Sequence, residues 1–204
     1  MSSPVTLSTS TADGVIIENN PTTNYGTDIA ILVSPLSANR RRALLKFDFS
    51  ALVPAGATIT VATLKLYNRS TRTAGRTISV YRLLRTDWVE TQATWNIYKT
   101  GSSWGTVGAL NATTDYTATD AATATSLSAD GWVSWNVKNQ IQTALDSVSG
   151  VTHFLIADDG ATATAVNTFN SREYTAIANR WPILYIEYTV PSAVSPNFLP
   201  FFWA

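Results

Sequence analysis

The chain has 204 residues, with 14 Lys and Arg against 14 Asp and Glu, no Cys, one Met and one His. That length suits one domain of the larger all-β kind, or at most two small ones. A formal net charge of zero argues against a chain that lives on nucleic acid, because phosphate binding needs a basic surplus. The missing Cys excludes disulfides, thiol nucleophiles and thiolate metal sites, and a single imidazole leaves only an oxygen-ligand cation to consider.

Met1 to Thr11 has neither a cationic n-region nor an apolar h-region, so no secretory signal is predicted. No run approaches the ~20 apolar residues of a membrane span. Residues 1–12 read as an N-terminal arm, and apolar residues then recur at period two, the mark of half-buried strands. Early strands are expected at Val15–Glu18 and Ile29–Val33, separated by Asn20-Pro21 and Tyr25-Gly26 turn signals. From Arg42 to Phe49, Ala43, Leu45, Phe47 and Phe49 point one way, and Arg42, Leu44, Lys46 and Asp48 the other. From Val61 to Tyr67, Ala62, Leu64 and Leu66 oppose Thr63, Lys65 and Tyr67; from Arg76 to Leu83, Ile78 and Val80 alternate with Thr77, Ser79 and Tyr81.

Thr100 to Asp130 is rich in Gly, Ser, Thr and Ala, and is expected to be a long surface excursion. Beyond it, strands are predicted at Trp132–Val137, Thr152–Ala157, Ala165–Asn170 and Ile183–Val190. One helix is predicted between them, from the helical spacing of Val137, Ile141, Ala144, Leu145 and Val148, ending at Gly150. This pattern specifies an all-β fold, a jelly-roll β-sandwich of two antiparallel sheets with one short helix, over residues 13–190. Residues 191–204 form a separate tail with three prolines.

Several segments, in order, carry a family likeness. They are Asn20 to Gly26, Arg42 to Ser50, Pro54 to Tyr67, Asp87-Trp88-Val89-Glu90, Thr94-Trp95-Asn96, Phe169 to Glu173 and the closing strand at Ile183–Val190. Together they resemble the DNRLRE-type module, a family that includes carbohydrate-binding module family 96. The resemblance implies a non-catalytic jelly-roll sandwich, of a kind usually appended to extracellular enzymes or surface proteins. Some of its members bind acidic polysaccharide.

The side chains suggest where binding would occur. Arg42, Lys46, Lys65 and Tyr67 stand on the polar sides of two strands, with Arg40, Arg41, Arg69, Arg72 and Arg76 at the strand ends. If the two strands were neighbours, they would form a cationic patch with a ring for stacking. Arginine forks match carboxylates, and an aromatic face packs on a sugar ring. The same charges could equally serve to solvate an outer sheet face. Trp104, between Ser103 and Gly105, is the tryptophan expected to be exposed; Trp88, Trp95, Trp132, Trp135 and Trp181 are expected in core and corners.

No cofactor is expected. Asp13, Glu18, Asp28, Asp158, Asp159 and Glu173 offer oxygens for a structural Ca²⁺, but no spacing assigns a ligand set. Arg172 and Glu173 read as a structural pair. His153 reads as a strand residue, and no Gly-x-Ser-x-Gly elbow accompanies it, so an enzyme is not expected. In the tail, Phe198, Leu199, Phe201, Phe202 and Trp203 present apolar area that favours docking, on this sandwich or on another chain.

A secreted-style fold, no visible export signal and an apolar tail together suggest a virion surface subunit of a phage, a decoration or tail-associated homo-oligomer that is extracellular after lysis. Its partners would be other subunits of the assembly. The alternative is a module that grips acidic polysaccharide through the basic–aromatic face.

Overall fold

The computed structural model describes residues 2–69, 74–147, 149–158, 160, 166–177 and 179–191. The expected sandwich is there: two antiparallel sheets and one short helix in a jelly-roll arrangement. In chain order the strands are β1 (Ser2–Leu7), β2 (Ala12–Ile17), β3 (Ala30–Val33), β4 (Arg41–Asp48), β5 (Thr58–Asn68) and β6 (Thr77–Leu83). They continue with β7 (Ile97–Lys99), β8 (Ser102–Ser103), β9 (Tyr116–Thr125) and β10 (Gly131–Asn136). Helix α1 (Lys138–Asp146) follows, then β11 (Val151–Asp158), β12 (Asn167–Asn170) and β13 (Ile183–Thr189).

One sheet, here sheet A, runs β1-β13-β5-β12-β3, with β10 on the free side of β5. Sheet B runs β2-β4-β11-β6-β9. From β1 to β6, each strand lies in the sheet opposite its predecessor, so chain neighbours face each other across the core and do not pair. The alternation read from the sequence determines what fills that space. Leu45 and Phe47 of β4 and Ile78 and Val80 of β6 meet Leu64 and Leu66 of β5, Trp135 of β10 and Leu184 and Ile186 of β13. Ile141 and Leu145 of α1 close the same core, as their spacing required. Gly150 ends the helical segment at φ +58°, donating its N–H to the Ala144 carbonyl at 3.2 Å.

Two expectations change. Residues 2–7 are not a free arm: β1 pairs along its length with β13, Val5 and Leu7 packing on the core. The 100–130 stretch is not a loose excursion either. Its second half contains β9, the edge strand of sheet B, and its first half belongs to a cover over residues 84–115 that lies on the outer face of that sheet.

The cover exists because the outer face of sheet B is not polar throughout. Ile16, Leu44 and Leu155 project there and pack with Trp88, Trp95, Trp104 and Ala109 into a second apolar cluster. Backbone bonds shape it: Gly108 donates to the Trp95 carbonyl at 2.6 Å. Gly108 sits at φ +79°, and a Cβ there would stand 2.3 Å from the Trp95 ring, so only glycine fits.

The carboxylate of Asp115 is fully buried and organises the cover. It accepts backbone N–H groups from Gly105 (2.6 Å), Thr106 (3.0 Å) and Asn111 (3.2 Å), with Arg85 Nε at 3.3 Å. Asp115→Ala would remove the one acceptor shared by three backbone donors of the cover and by Arg85, and is expected to cost about 2 kcal/mol in chemical denaturation. A cost under about 1 kcal/mol would mean that water replaces the carboxylate.

Candidate functional site

The two outer faces of the sandwich differ. That of sheet B lies under the cover, whereas that of sheet A carries Val61, Thr63, Lys65 and Tyr67 of β5, Trp132 and Ser134 of β10, and Ile183, Tyr185 and Glu187 of β13 at partly or well exposed positions. Trp132 and Val61 are 38% and 39% exposed.

The anticipated four-residue patch does not form. Arg42 and Lys46 belong to β4 in sheet B, and Lys65 and Tyr67 to β5 in sheet A, so the pairs lie on opposite outer surfaces. Arg42 is only 6% exposed beneath the cover, where its Nη1 donates to the Ala109 carbonyl at 2.6 Å and its guanidinium lies 5.4 Å from the Tyr116 ring centroid. Lys46 is half-buried, opposite His153 and Ala12. Arg76 forks onto Asp158 (Nε to Oδ2 2.5 Å, Nη2 to Oδ1 2.6 Å), and that hydrogen-bonded partner raises its pKa further. Trp104, expected to be exposed, is only 4% so, its indole N–H donating to the Thr94 carbonyl at 2.9 Å; it is a core residue of the cover. Arg72, Asp159 and the apolar tail residues Phe198, Leu199, Phe201, Phe202 and Trp203 lie outside the described residues.

Sheet A retains half of the expected patch and completes it with two residues that sequence reasoning missed. Trp132 lies directly opposite Tyr67 in the β10–β5 ladder, and their rings meet edge to face at 5.3 Å between centroids and 87° between planes. Arg180, from the segment before β13, places its Cζ 4.1 Å from the Tyr67 ring centroid. Lys65 is one outward position further along β5, opposite Ser134. No ion pair is found on Lys65 or Arg180 among the described residues. An exposed indole, a phenol ring and two cations thus share one open surface. Trp132 was legible by parity: in Gly131-Trp132-Val133-Ser134-Trp135, burying Trp135 forces Trp132 outward.

Four of the six carboxylates considered for Ca²⁺, those of Asp13, Glu18, Asp158 and Glu173, are engaged with other groups. Glu18 holds Arg40 (Oε1 to Nη2, 2.6 Å), a bond that lowers its pKa, and Asp158 holds Arg76. Arg172 Nη2 is 2.6 Å from Glu90 Oε2 and its Nε is 2.8 Å from Glu173 Oε1, so the anticipated Arg172–Glu173 pair is extended to a third partner from the cover. Asp13 Oδ2 accepts from Ser10 Oγ at 2.6 Å and from the Arg172 backbone N–H at 3.0 Å. Among the described residues, no group of three or more His, Asp or Glu side chains is arranged to hold a metal ion. His153 is a buried strand residue whose Nδ1 accepts the Trp88 indole N–H at 3.1 Å.

No curated protein of known function matches the chain. A family model does, over residues 4–188, from β1 to the end of β13, a span that includes both sheets, the cover and the exposed Trp132–Tyr67 surface. On that match the chain belongs to carbohydrate-binding module family 96.

Proposed function

We propose that the protein is a non-catalytic module that binds acidic polysaccharide on the outer face of sheet A. The observation that carries this reading is the grouping of Trp132, Tyr67, Lys65 and Arg180 on the uncovered sheet. The exposed indole packs on the apolar face of one sugar ring, as rings do where an amphipathic surface must be read. Arg180 is held over Tyr67 and presents a guanidinium fork to a carboxylate, and Lys65 supplies a second positive charge along the chain. An open strand surface suits an extended polymer, whose successive units repeat the same weak contact.

The family gives the polysaccharide alternative precedence over the virion subunit. The latter joined a secreted-style fold and no visible export signal to an apolar tail, and that tail lies outside the described residues.

The test is titration calorimetry with polyuronate oligosaccharides beside neutral glucans of equal length. Trp132→Ala is expected to weaken uronate binding about tenfold or more, as loss of a central aromatic anchor does. Lys65→Ala should weaken it less and flatten its salt dependence, while Lys46→Ala, on the opposite surface, should leave it unchanged. Full affinity in Trp132→Ala, or equal affinity for neutral glucans, would remove sheet A as the acidic-glycan site.

A further inference from the structure

The outer face of sheet A is not cationic throughout. Its ladders set the outward residues in rows across the strands, and the charge changes sign along the strands. Tyr67 with Trp132, and Lys65 with Ser134, make the two rows at the Arg180 end. At the opposite end, Glu187 of β13 faces Val61 of β5 on one side and Pro4 of β1 on the other. Tyr185 stands in the row between, opposite Thr63 and Thr6, and its hydroxyl donates to Glu187 Oε1 at 2.5 Å. Glu187 is partly exposed, and no cation pairs with it among the described residues.

The register separates the two signs of charge. Ile183 lies opposite Lys65, and Glu187 is four residues further along β13. At about 3.3 Å per residue the two charges are about 13 Å apart along the strands. That exceeds the Debye length of about 8 Å at physiological salt, so Lys65 does not neutralise Glu187. Each charge acts on the unit of a polymer that lies over it. From Tyr67 to Val61 the face runs about 20 Å along β5, so a chain of several sugar rings meets both ends.

The two ends ask for different units. The cationic rows favour a carboxylate. An ionised Glu187 can only accept hydrogen bonds; Tyr185 fixes one of its oxygens, and the other suits a sugar hydroxyl. A sugar carboxylate over Glu187 would meet a like charge. A homopolyuronate carries a carboxylate in every unit and cannot avoid that encounter once it spans the face. A chain that also contains uncharged units can take the register that puts one of them over Glu187.

We propose that Glu187, positioned by Tyr185, sets the specificity of this face, and that its preferred ligand is a mixed polymer in which uronate units are interspersed with uncharged hydroxylated sugars. The proposal rests on the sheet A reading and adds to it the repulsive element that discrimination between related chains requires.

The experiment is titration calorimetry of the full chain at low salt with oligogalacturonates of one length, long enough to span the face. They are used unesterified, partly methyl-esterified and fully esterified, so that the sugar stays the same and only the charge pattern changes. The partly esterified chain is expected to bind tightest. Glu187→Gln keeps an amide oxygen for the Tyr185 hydroxyl and lies at the surface, so the fold is not at risk. It should raise affinity for the unesterified chain about fivefold at low salt, a gain that shrinks at high salt, and make that chain the preferred one. Affinity that falls steadily with esterification in the native chain, or a preference that Glu187→Gln does not move, would overturn the proposal and leave sheet A as an acidic-glycan site. Binding of none of the three, or affinity that rises steadily with esterification, would overturn the sheet A reading itself and this proposal with it.

Discussion

Trp135→Ala is expected to cost about 5 kcal/mol of stability, a large share of the 5–15 kcal/mol typical of a domain. Trp135 is fully buried at the centre of the core and packs edge to face on Phe169 at 6.0 Å between centroids. Its indole N–H also crosses from sheet A to sheet B, donating to the Ile78 carbonyl at 2.9 Å. Truncation therefore removes the ring, leaves a cavity and orphans a buried acceptor. Aromatic-to-Ala changes in cores cost about 3–5 kcal/mol, and an unpaired carbonyl about 1–3 more, with partial overlap between the two. Trp135→Phe separates the contributions: it keeps most of the ring and loses the inter-sheet bond, so about 2 kcal/mol is expected. The check is chemical denaturation of both variants. Should Trp135→Ala cost less than Trp135→Phe is expected to, this residue does not tie the sheets together.

Period-two patterning made most of the sandwich legible, because a strand with one buried face must alternate. The β4 expectation of Arg42–Phe49 meets Arg41–Asp48, and that at Ile183–Val190 meets Ile183–Thr189. β1 and β9 were not visible for a shared reason. Both are edge strands, and their sequences, Ser-Ser-Pro-Val-Thr-Leu and the Thr/Ala run of Tyr116–Thr125, lack the large alternating residues of the central strands. Their order comes from partners elsewhere in the chain, β13 and β6 respectively.

The site was half legible. Parity put Lys65 and Tyr67 on the outward side of β5 correctly, but parity says nothing of which strands pair. β4 and β5, although successive, went to different sheets, as sandwich connections dictate, and the expected patch split with them. Trp104 was misplaced because Gly and Ser neighbours describe a loop without saying what lies beneath it. What lies beneath is Leu44 and Leu155, two large apolar residues on the face otherwise assigned to solvent. Leu44 between Arg42 and Lys46 was the local signal that this face would be covered.

The second large effect is a pair of opposite pH dependences that offset each other in the native chain. Burial raises the pKa of Asp13 from 3.8 to about 7, against the opposing hydrogen bond from Ser10 and with added repulsion from Glu173 and Glu90. Burial also lowers that of His153 from 6.5 to about 4, with the nearby Lys46 adding to it and Asp87 opposing. Folded Asp13 keeps a proton that the unfolded chain has lost, so its contribution to stability is complete below pH 3.8 and disappears as pH rises to about 7. Folded His153 stays neutral where the unfolded chain takes up a proton, so its contribution is complete above pH 6.5 and is lost as pH falls towards 4. Between pH 4 and 6.5 the two slopes, each about 1.4 kcal/mol per pH unit, have opposite signs and cancel. Asp13→Asn leaves only the histidine, and its stability relative to the native chain should rise by about 3 kcal/mol from pH 4 to 6.5. His153→Gln, whose amide oxygen can still accept the Trp88 N–H, leaves only the aspartate and should fall by a similar amount. The carboxylates of Glu18, Asp48 and Asp87, all held below their ordinary pKa by hydrogen bonds, act in every variant alike and drop out of the difference. Denaturation midpoints at half-unit pH steps for the native chain and both variants make the comparison. Parallel profiles in all three would show that neither group changes its protonation on folding in this range.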